Sequence, residues 1–177
     1  MKLNPTKCVF GVNAGKFLGF MVTQRGIEVN LAQVKAVLKT LALNNKKELQ
    51  RLTGRLAALG HFIAHFTGKL LHFFLTLKGA STFNWTDECK WAFEAVKRYL
   101  IKPPILISPK SGEELYVYLV ISDYVVSTVL FRHIWDREQK PIYYVSKTMV
   151  DAETRYFQVE QTTLALKSVS RKLRSYF

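Results

Sequence analysis

The side chains that could do chemistry here are thirteen carboxylates, four histidines and two cysteines, set among twenty-six lysines and arginines. Two-metal phosphoryl or nuclease chemistry needs several carboxylates converging on ions about 3.5 to 4 Å apart. The acids are Glu28, Glu48, Asp87, Glu88, Glu94, Glu113, Glu114, Asp123, Asp136, Glu138, Asp151, Glu153 and Glu160, with no adjacent aspartate pair. His61 and His65 stand four residues apart but lack the acid of an H-E-x-x-H zinc helix, and His72 and His133 are scattered. Cys8 and Cys89 fit neither a disulfide framework nor paired zinc ligands and are expected to be buried thiols. No Ser/His/Asp or Cys/His arrangement is present. The cations are better ordered: Lys47, Arg51 and Arg55 recur at i, i+4 and i+8. On a helix they form a basic row, either a solvated flank or a surface for a polyanion.

The formal charge of +13 favours a polyanionic partner, with nucleic acid first. An anionic membrane is the alternative, but the longest apolar run, Leu70 to Leu77, is far short of the roughly 18 residues a spanning helix needs. The N-terminus does not read as a secretory signal, so an intracellular protein, in cytoplasm or nucleus and without a membrane partner, is expected. At 177 residues, 49% apolar and 13% aromatic, the chain can build a core.

Three blocks position these residues. In Lys7 to Val29, apolar runs at Cys8 to Val12, Phe17 to Val22 and Ile27 to Val29, broken at Asn13-Ala14-Gly15 and Arg25-Gly26, predict a β-meander or hairpin. From Asn30 to about Pro103 the period is helical. Asn30 caps Leu31 to Leu41, and Asn45 with Glu48 marks a capping box opening a long helix. Leu49, Leu52, Leu56, Leu59 and Ile63 form its buried stripe, which puts the basic row about 110° from the stripe's centre. Thr86 caps a further helix with Phe93, Val96 and Leu100 inward, stopped by Pro103-Pro104. Beyond Ser108, strands are predicted at Leu115 to Ile121, Val125 to Arg132 and Pro141 to Ser146, with Asp136 to Lys140 as a polar connection. A helix over Gln158 to Tyr176 follows, with Val159, Leu166, Val169 and Leu173 inward and Lys167, Arg171 and Arg174 outward.

The segment K-C-V-F-G-V-N-A-G-K-F-L-G-F-M-V at Lys7 to Val22 resembles the palm end of reverse transcriptases of gypsy-class LTR retrotransposons, especially the plant type. L-T-G-R-L-A-A-L at Leu52 to Leu59, F-N-W-T-D-E-C at Phe83 to Cys89, A-F at Ala92 to Phe93 and P-P-I-L at Pro103 to Leu106 resemble the thumb and connection, in order. Y-Y-V-S-K at Tyr143 to Lys147 and E-T-R-Y at Glu153 to Tyr156 look like the retroelement ribonuclease H-like domain. The resemblance implies an α+β chain in three parts. Residues 1–29 would be the palm end with its hairpin and 30–107 the helical thumb and connection; 108–177 would be a truncated ribonuclease H-like, three-stranded antiparallel sheet with a packed helix. It also implies an RNA-directed DNA polymerase joined to a ribonuclease H, acting on a primer–template duplex. Phe17, Leu18, Gly19 and Phe20 fall where the family's primer grip lies, and Gly19 would allow close approach to the sugar-phosphate. Lys47, Arg51 and Arg55 fall on the thumb's minor-groove helix and would contact phosphates.

The same resemblance predicts an inactive chain. The family's polymerase centre is a Tyr-x-Asp-Asp, absent here and expected upstream of Met1. The first nuclease ligand is the first Asp of T-D-A-S-D; the matching run is Leu119-Val120-Ile121-Ser122-Asp123, so Val120 replaces it. The second ligand is the later Glu of E-K-E-L-L-A-I, and Thr162 takes its place in Glu160 to Leu166. The remaining ligands are expected beyond Phe177. Neutral Val120 and Thr162 cannot balance the Mg²⁺ ions of the intact enzyme, so no cofactor and no nuclease turnover are expected. A register two residues off would instead pair Asp123 with Glu160. The reading is a sequence-independent nucleic-acid binder that partners the remainder of a polyprotein. The alternatives are a structural tether between polymerase and nuclease, or a transposon relic.

Overall fold

The computed structural model describes residues 11–176 apart from 18, 42, 79–82 and 135–137. Cys8, most of the first apolar run, Leu18 and Asp136 therefore lie outside the described residues. The architecture is α+β, with two three-stranded antiparallel sheets and six α-helices among the described residues.

The first sheet is a meander of β1 (Ala14–Phe17), β2 (Phe20–Thr23) and β3 (Gly26–Glu28). Its first turn differs from expectation. Ala14 and Gly15 are strand residues, and the chain reverses between Phe17 and Phe20, which face each other across the ladder. Gly19 sits there at φ +87°, a conformation that favours glycine. At the second turn Gly26 has φ +138°, and a Cβ there would collide with the Leu106 carbonyl. The missing side chain lets β3 pair with the segment after the helices, Ile27 and Leu106 exchanging hydrogen bonds of 2.7 and 3.0 Å.

Asn30 caps α1 (Leu31–Leu38) through its side chain, which accepts from Ala32 N–H. The helix stops three residues short of the predicted Leu41. Asn45 caps α2 (Lys46–Ala57) by accepting from Glu48 N–H at 2.9 Å. The reciprocal arm is displaced: the Glu48 carboxylate accepts from Asn44 N–H at 2.8 Å. Leu49, Leu52, Leu56, Leu59 and Ile63 are all buried, but α2 does not run through to Ile63. It gives way to a 3₁₀ turn at Gly60–Phe62, where the Phe66 ring closes over Gly60 and would lie 3.2 Å from a Cβ. The short α3 (Phe66–Lys69) and α4 (Leu71–Lys78) follow. Thr86 then caps α5 (Asp87–Ile101), which buries Cys89, Phe93, Val96 and Leu100. These helices share one core running from Val29 to Leu106.

The second sheet has the order β4 (Tyr116–Ile121), β5 (Val125–Ile134), β6 (Glu138–Thr148). Glu138, Gln139 and Lys140, expected in the connection, belong to β6. The ladder shifts register between Leu130 and Phe131, whose partners are Tyr143 and Pro141, leaving Ile142 as the extra residue of a bulge. Proline is tolerated at that bulge because it has no N–H to contribute to the ladder. One face of the sheet is covered by α6 (Gln158–Lys172). The buried side of α6 differs from expectation: Ala165, Val169 and Leu173 face inward, while Val159 and Leu166 are 77% and 51% exposed. The opposite face meets α3, where Thr67 N–H donates to Ser146 Oγ at 3.1 Å and Ser146 shares a 3.1 Å hydrogen bond with Ser127.

Candidate nucleic-acid interface

Burial of the leucine stripe fixes which way α2 faces, since each buried leucine is worth about 1.5 to 3 kcal/mol and the stripe cannot roll outward. Lys47, Arg51 and Arg55 are consequently all exposed. Glu48, the one acid of α2, spends its carboxylate on Asn44 N–H, and none of the three cations has an ion-pair partner among the described residues. The row therefore keeps its positive field. Arg51 and Arg55 also line a cavity of about 240 Å³ with Glu48 of α2 and with Thr40 and Asn44 of the α1–α2 connection.

Beside the row runs a low strip that the charge pattern does not reveal. Gln50, Gly54, Ala57 and Ala58 are exposed, and a Cβ at Gly54 would meet nothing within 4 Å. Mid-helix glycine costs about 0.5 to 1 kcal/mol relative to alanine, and no protein contact accounts for it here. The legible signal is a glycine inside an otherwise strongly helical pattern.

The hairpin is brought to the same end of the molecule. Phe20 packs on Phe62 at 5.7 Å and on His61 at 6.5 Å between ring centroids, tying β2 to the turn that ends α2. Phe17, the cross-strand partner of Phe20, is 67% exposed. A Cβ at Gly19 would meet only Gln33 Nε2, at 3.9 Å, so the positive φ by itself accounts for the glycine.

The positions matching the nuclease ligands are not brought together as a carboxylate site. Leu119 and Ile121 pack toward Ala165 of α6, and alternation along β4 sends Val120 to the other face, where it is 51% exposed. The Thr162 hydroxyl donates to the Gln158 carbonyl at 2.7 Å within α6. Glu160 accepts from Phe157 N–H at 3.0 Å as an N-terminal cap, and Asp123 is exposed at the β4–β5 turn. Among the described residues no group of three or more His, Cys, Asp or Glu could hold a metal ion. The donor set thus does not fit the Mg²⁺ pair that the resemblance implies. Two other acids of the second sheet region are structural: Val150 N–H and the Lys147 ammonium hold the Glu153 carboxyl below its usual range, and Arg132 and Lys110 N–H do the same for Glu113. No helix among the described residues is long and apolar enough to cross a membrane.

Comparison with known proteins agrees with this architecture. The chain is 27% identical over 175 residues to the Transposon Tf2-3 polyprotein of Schizosaccharomyces pombe, covering 98% of this chain and 13% of that protein. The Tf2-4 polyprotein of the same organism matches equally, so the chain spans about an eighth of the length of these curated relatives. The foamy viral protease-reverse transcriptase in complex with double-stranded DNA superposes with a TM-score of 0.77 at 20% identity, over 93% of this chain and 34% of that one. The same enzyme with an RNA/DNA hybrid superposes at 0.77 and 21% identity, over 91% and 22%. Residues 85–177 match the family described as the RNase H-like domain found in reverse transcriptase. The chain belongs to that family.

Proposed function

We propose that this chain is the palm end, thumb and connection of a gypsy-class, plant-type retrotransposon reverse transcriptase with its RNase H-like module, and that it grips a nucleic-acid duplex through the backbone without cutting it. The observation that carries this reading is the unneutralised row Lys47, Arg51 and Arg55 on the exposed flank of α2. The low strip at Gln50, Gly54 and Ala57 beside it gives a duplex room to approach, and Phe17 to Phe20 would hold a primer end. Two further facts support the reading: the net charge of +13, and neighbours of the same fold captured with double-stranded DNA and with an RNA/DNA hybrid. Duplex phosphates are the same for every sequence, so binding is sequence-independent.

In the division into 1–29, 30–107 and 108–177, the boundary near 107 is supported by separate cores, one spanning Val29 to Leu106 and smaller ones in the second sheet, while the hairpin of 1–29 packs Phe20 and Ile27 onto the helical core. Val120 and Thr162 supply no anionic oxygen, so the chain neither binds the magnesium pair nor cleaves. Its partners are the duplex and the rest of a polyprotein, inside the cell.

The test is fluorescence anisotropy with hybrid and DNA duplexes of several sequences across a salt series. Affinity falls steeply with salt and equally for all sequences. Replacing Lys47, Arg51 and Arg55 by Ala flattens the log–log slope by about 0.9 per lost phosphate contact. Unchanged affinity in the triple variant would return the row to a solvated flank.

The tether reading is favoured by the hydrogen bonds linking Thr67, Ser146 and Ser127, which clamp the RNase H-like sheet onto the helical part. Its mark is weak duplex binding combined with tight association with a polymerase half. A relic would lack a cooperative melt.

A further inference from the structure

A cavity of about 320 Å³ lies between the turn preceding α3 and the second sheet, lined by Ala64 and His65 on one side and by Tyr118, Val120, Ser127 and Tyr144 on the other. That volume is at the small end of ligand pockets, which run from roughly 300 Å³ upward. Its walls are aromatic and aliphatic apart from the hydroxyl residues Ser127 and Thr128, and no lining residue is acidic. Tyr118 stacks on the buried Phe131 at 4.6 Å between centroids yet stays 54% exposed, so its ring is braced from one side.

The other wall is held in place just as firmly. His65 adopts φ +54° and ψ +37°, left-handed and singular among the described non-glycine residues. Such conformations persist only where the surroundings over-determine them, and they gather at ligand sites. Here Ala64 N–H donates to Tyr99 Oη at 3.3 Å, Lys69 Nζ donates to the Ala64 carbonyl at 2.5 Å, and Lys69 N–H donates to the His65 carbonyl at 3.0 Å. The imidazole itself makes no capping hydrogen bond and is exposed at the cavity.

We infer that this crevice binds one unpaired nucleobase, received against Tyr118 and His65, and so holds a single-stranded tail next to the duplex. A base fits the observations better than an aliphatic side chain does. Planar rings line both walls, every base has a face to stack, and no carboxylate lines the crevice of this +13 chain to repel a nucleotide's phosphate. The inference rests on the duplex-binding reading for the supply of nucleic acid, but its residues are distinct from Lys47, Arg51 and Arg55.

The test uses three probes: a blunt duplex, the same duplex with a single-stranded tail carrying 2-aminopurine, and the tail alone. The tailed duplex is expected to bind at least about fivefold tighter than the blunt one, with quenching of the 2-aminopurine. Tyr118→Ala and His65→Gly should each abolish that gain and leave blunt-duplex affinity unchanged, while Tyr118→Phe retains it. Glycine tolerates the left-handed conformation, so His65→Gly keeps the fold. Equal affinity for blunt and tailed duplexes overturns the crevice and leaves duplex binding intact. A tail gain that both variants retain overturns it as well. Loss of blunt-duplex binding with Tyr118-dependent quenching of the free tail would sink only the duplex reading. A dimer in sedimentation that Tyr118→Ala dissociates would identify the occupant as a second copy and overturn the proposal.

Discussion

The imidazole of His61, in the turn that ends α2, lies 5.1 Å from the ring of Tyr143 on β6. This contact and the one from Phe20 on its other side make His61 a wedge joining the hairpin, the helical core and the RNase H-like sheet. Partial burial and the nearby Lys172 ammonium lower its pKa, with a hydrogen bond at the Tyr144 backbone acting the opposite way.

Stability should therefore fall on acidification. Above the ordinary value of 6.5 the imidazole is neutral in both folded and unfolded chains and nothing changes. Below it the unfolded chain binds the proton first, so stability declines until the lower folded pKa is reached and then levels off. Melting temperatures measured from pH 8 to pH 5 check this. His61→Gln should flatten the profile, and an equally steep profile in that variant would place the titration elsewhere.

Truncating the α2 stripe separates packing from charge. Leu56→Ala, at a fully buried position, should cost about 2 to 5 kcal/mol in urea unfolding. The exposed Arg51→Ala should change stability by less than about 0.5 kcal/mol. Equal losses from the two would mean that Arg51 is part of the core.

Gly26→Ala tests how the hairpin is anchored. A methyl there collides with the Leu106 carbonyl and demands an unfavourable φ, so the Ile27–Leu106 bridge should break at a cost of about 1 to 3 kcal/mol. Amide exchange at Ile27 and Leu106 should accelerate; protection at the wild-type level would show that the backbone adapts.

The Glu113 carboxyl is held below its usual range by hydrogen bonds from the Arg132 guanidinium and Lys110 N–H. A depressed carboxylate stabilises the fold above its unfolded pKa, and that contribution disappears as pH falls through the folded value. Glu113→Gln should remove this acid limb and leave Arg132, which is largely buried, without its counter-charge. Melting curves between pH 6 and pH 2 compare the two proteins.

Magnesium or manganese should neither raise the melting temperature nor support cleavage of a hybrid strand. Divalent-dependent cleavage by the purified chain would overturn the reading of Val120 and Thr162.

Local regularities of the chain were legible without a structure. The caps at Asn30, Asn45 and Thr86 and the stripe from Leu49 to Leu56 depend on neighbours within a turn or two, so the periodicity of one helix determines them, and with them the exposed face that carries Lys47, Arg51 and Arg55. For α6 the pattern was ambiguous. Val159 and Leu166 are as apolar as Val169, and only docking onto Leu119 and Ile121, where the small Ala165 permits close approach, decides which side is covered. The crevice was beyond sequence reasoning altogether, because a turn at His65 meets a sheet through contacts such as Thr67 to Ser146, 79 residues apart. Spacing along a chain reports the geometry of one element; cavities and the side of a helix that is buried are set by how separate elements come to rest on each other.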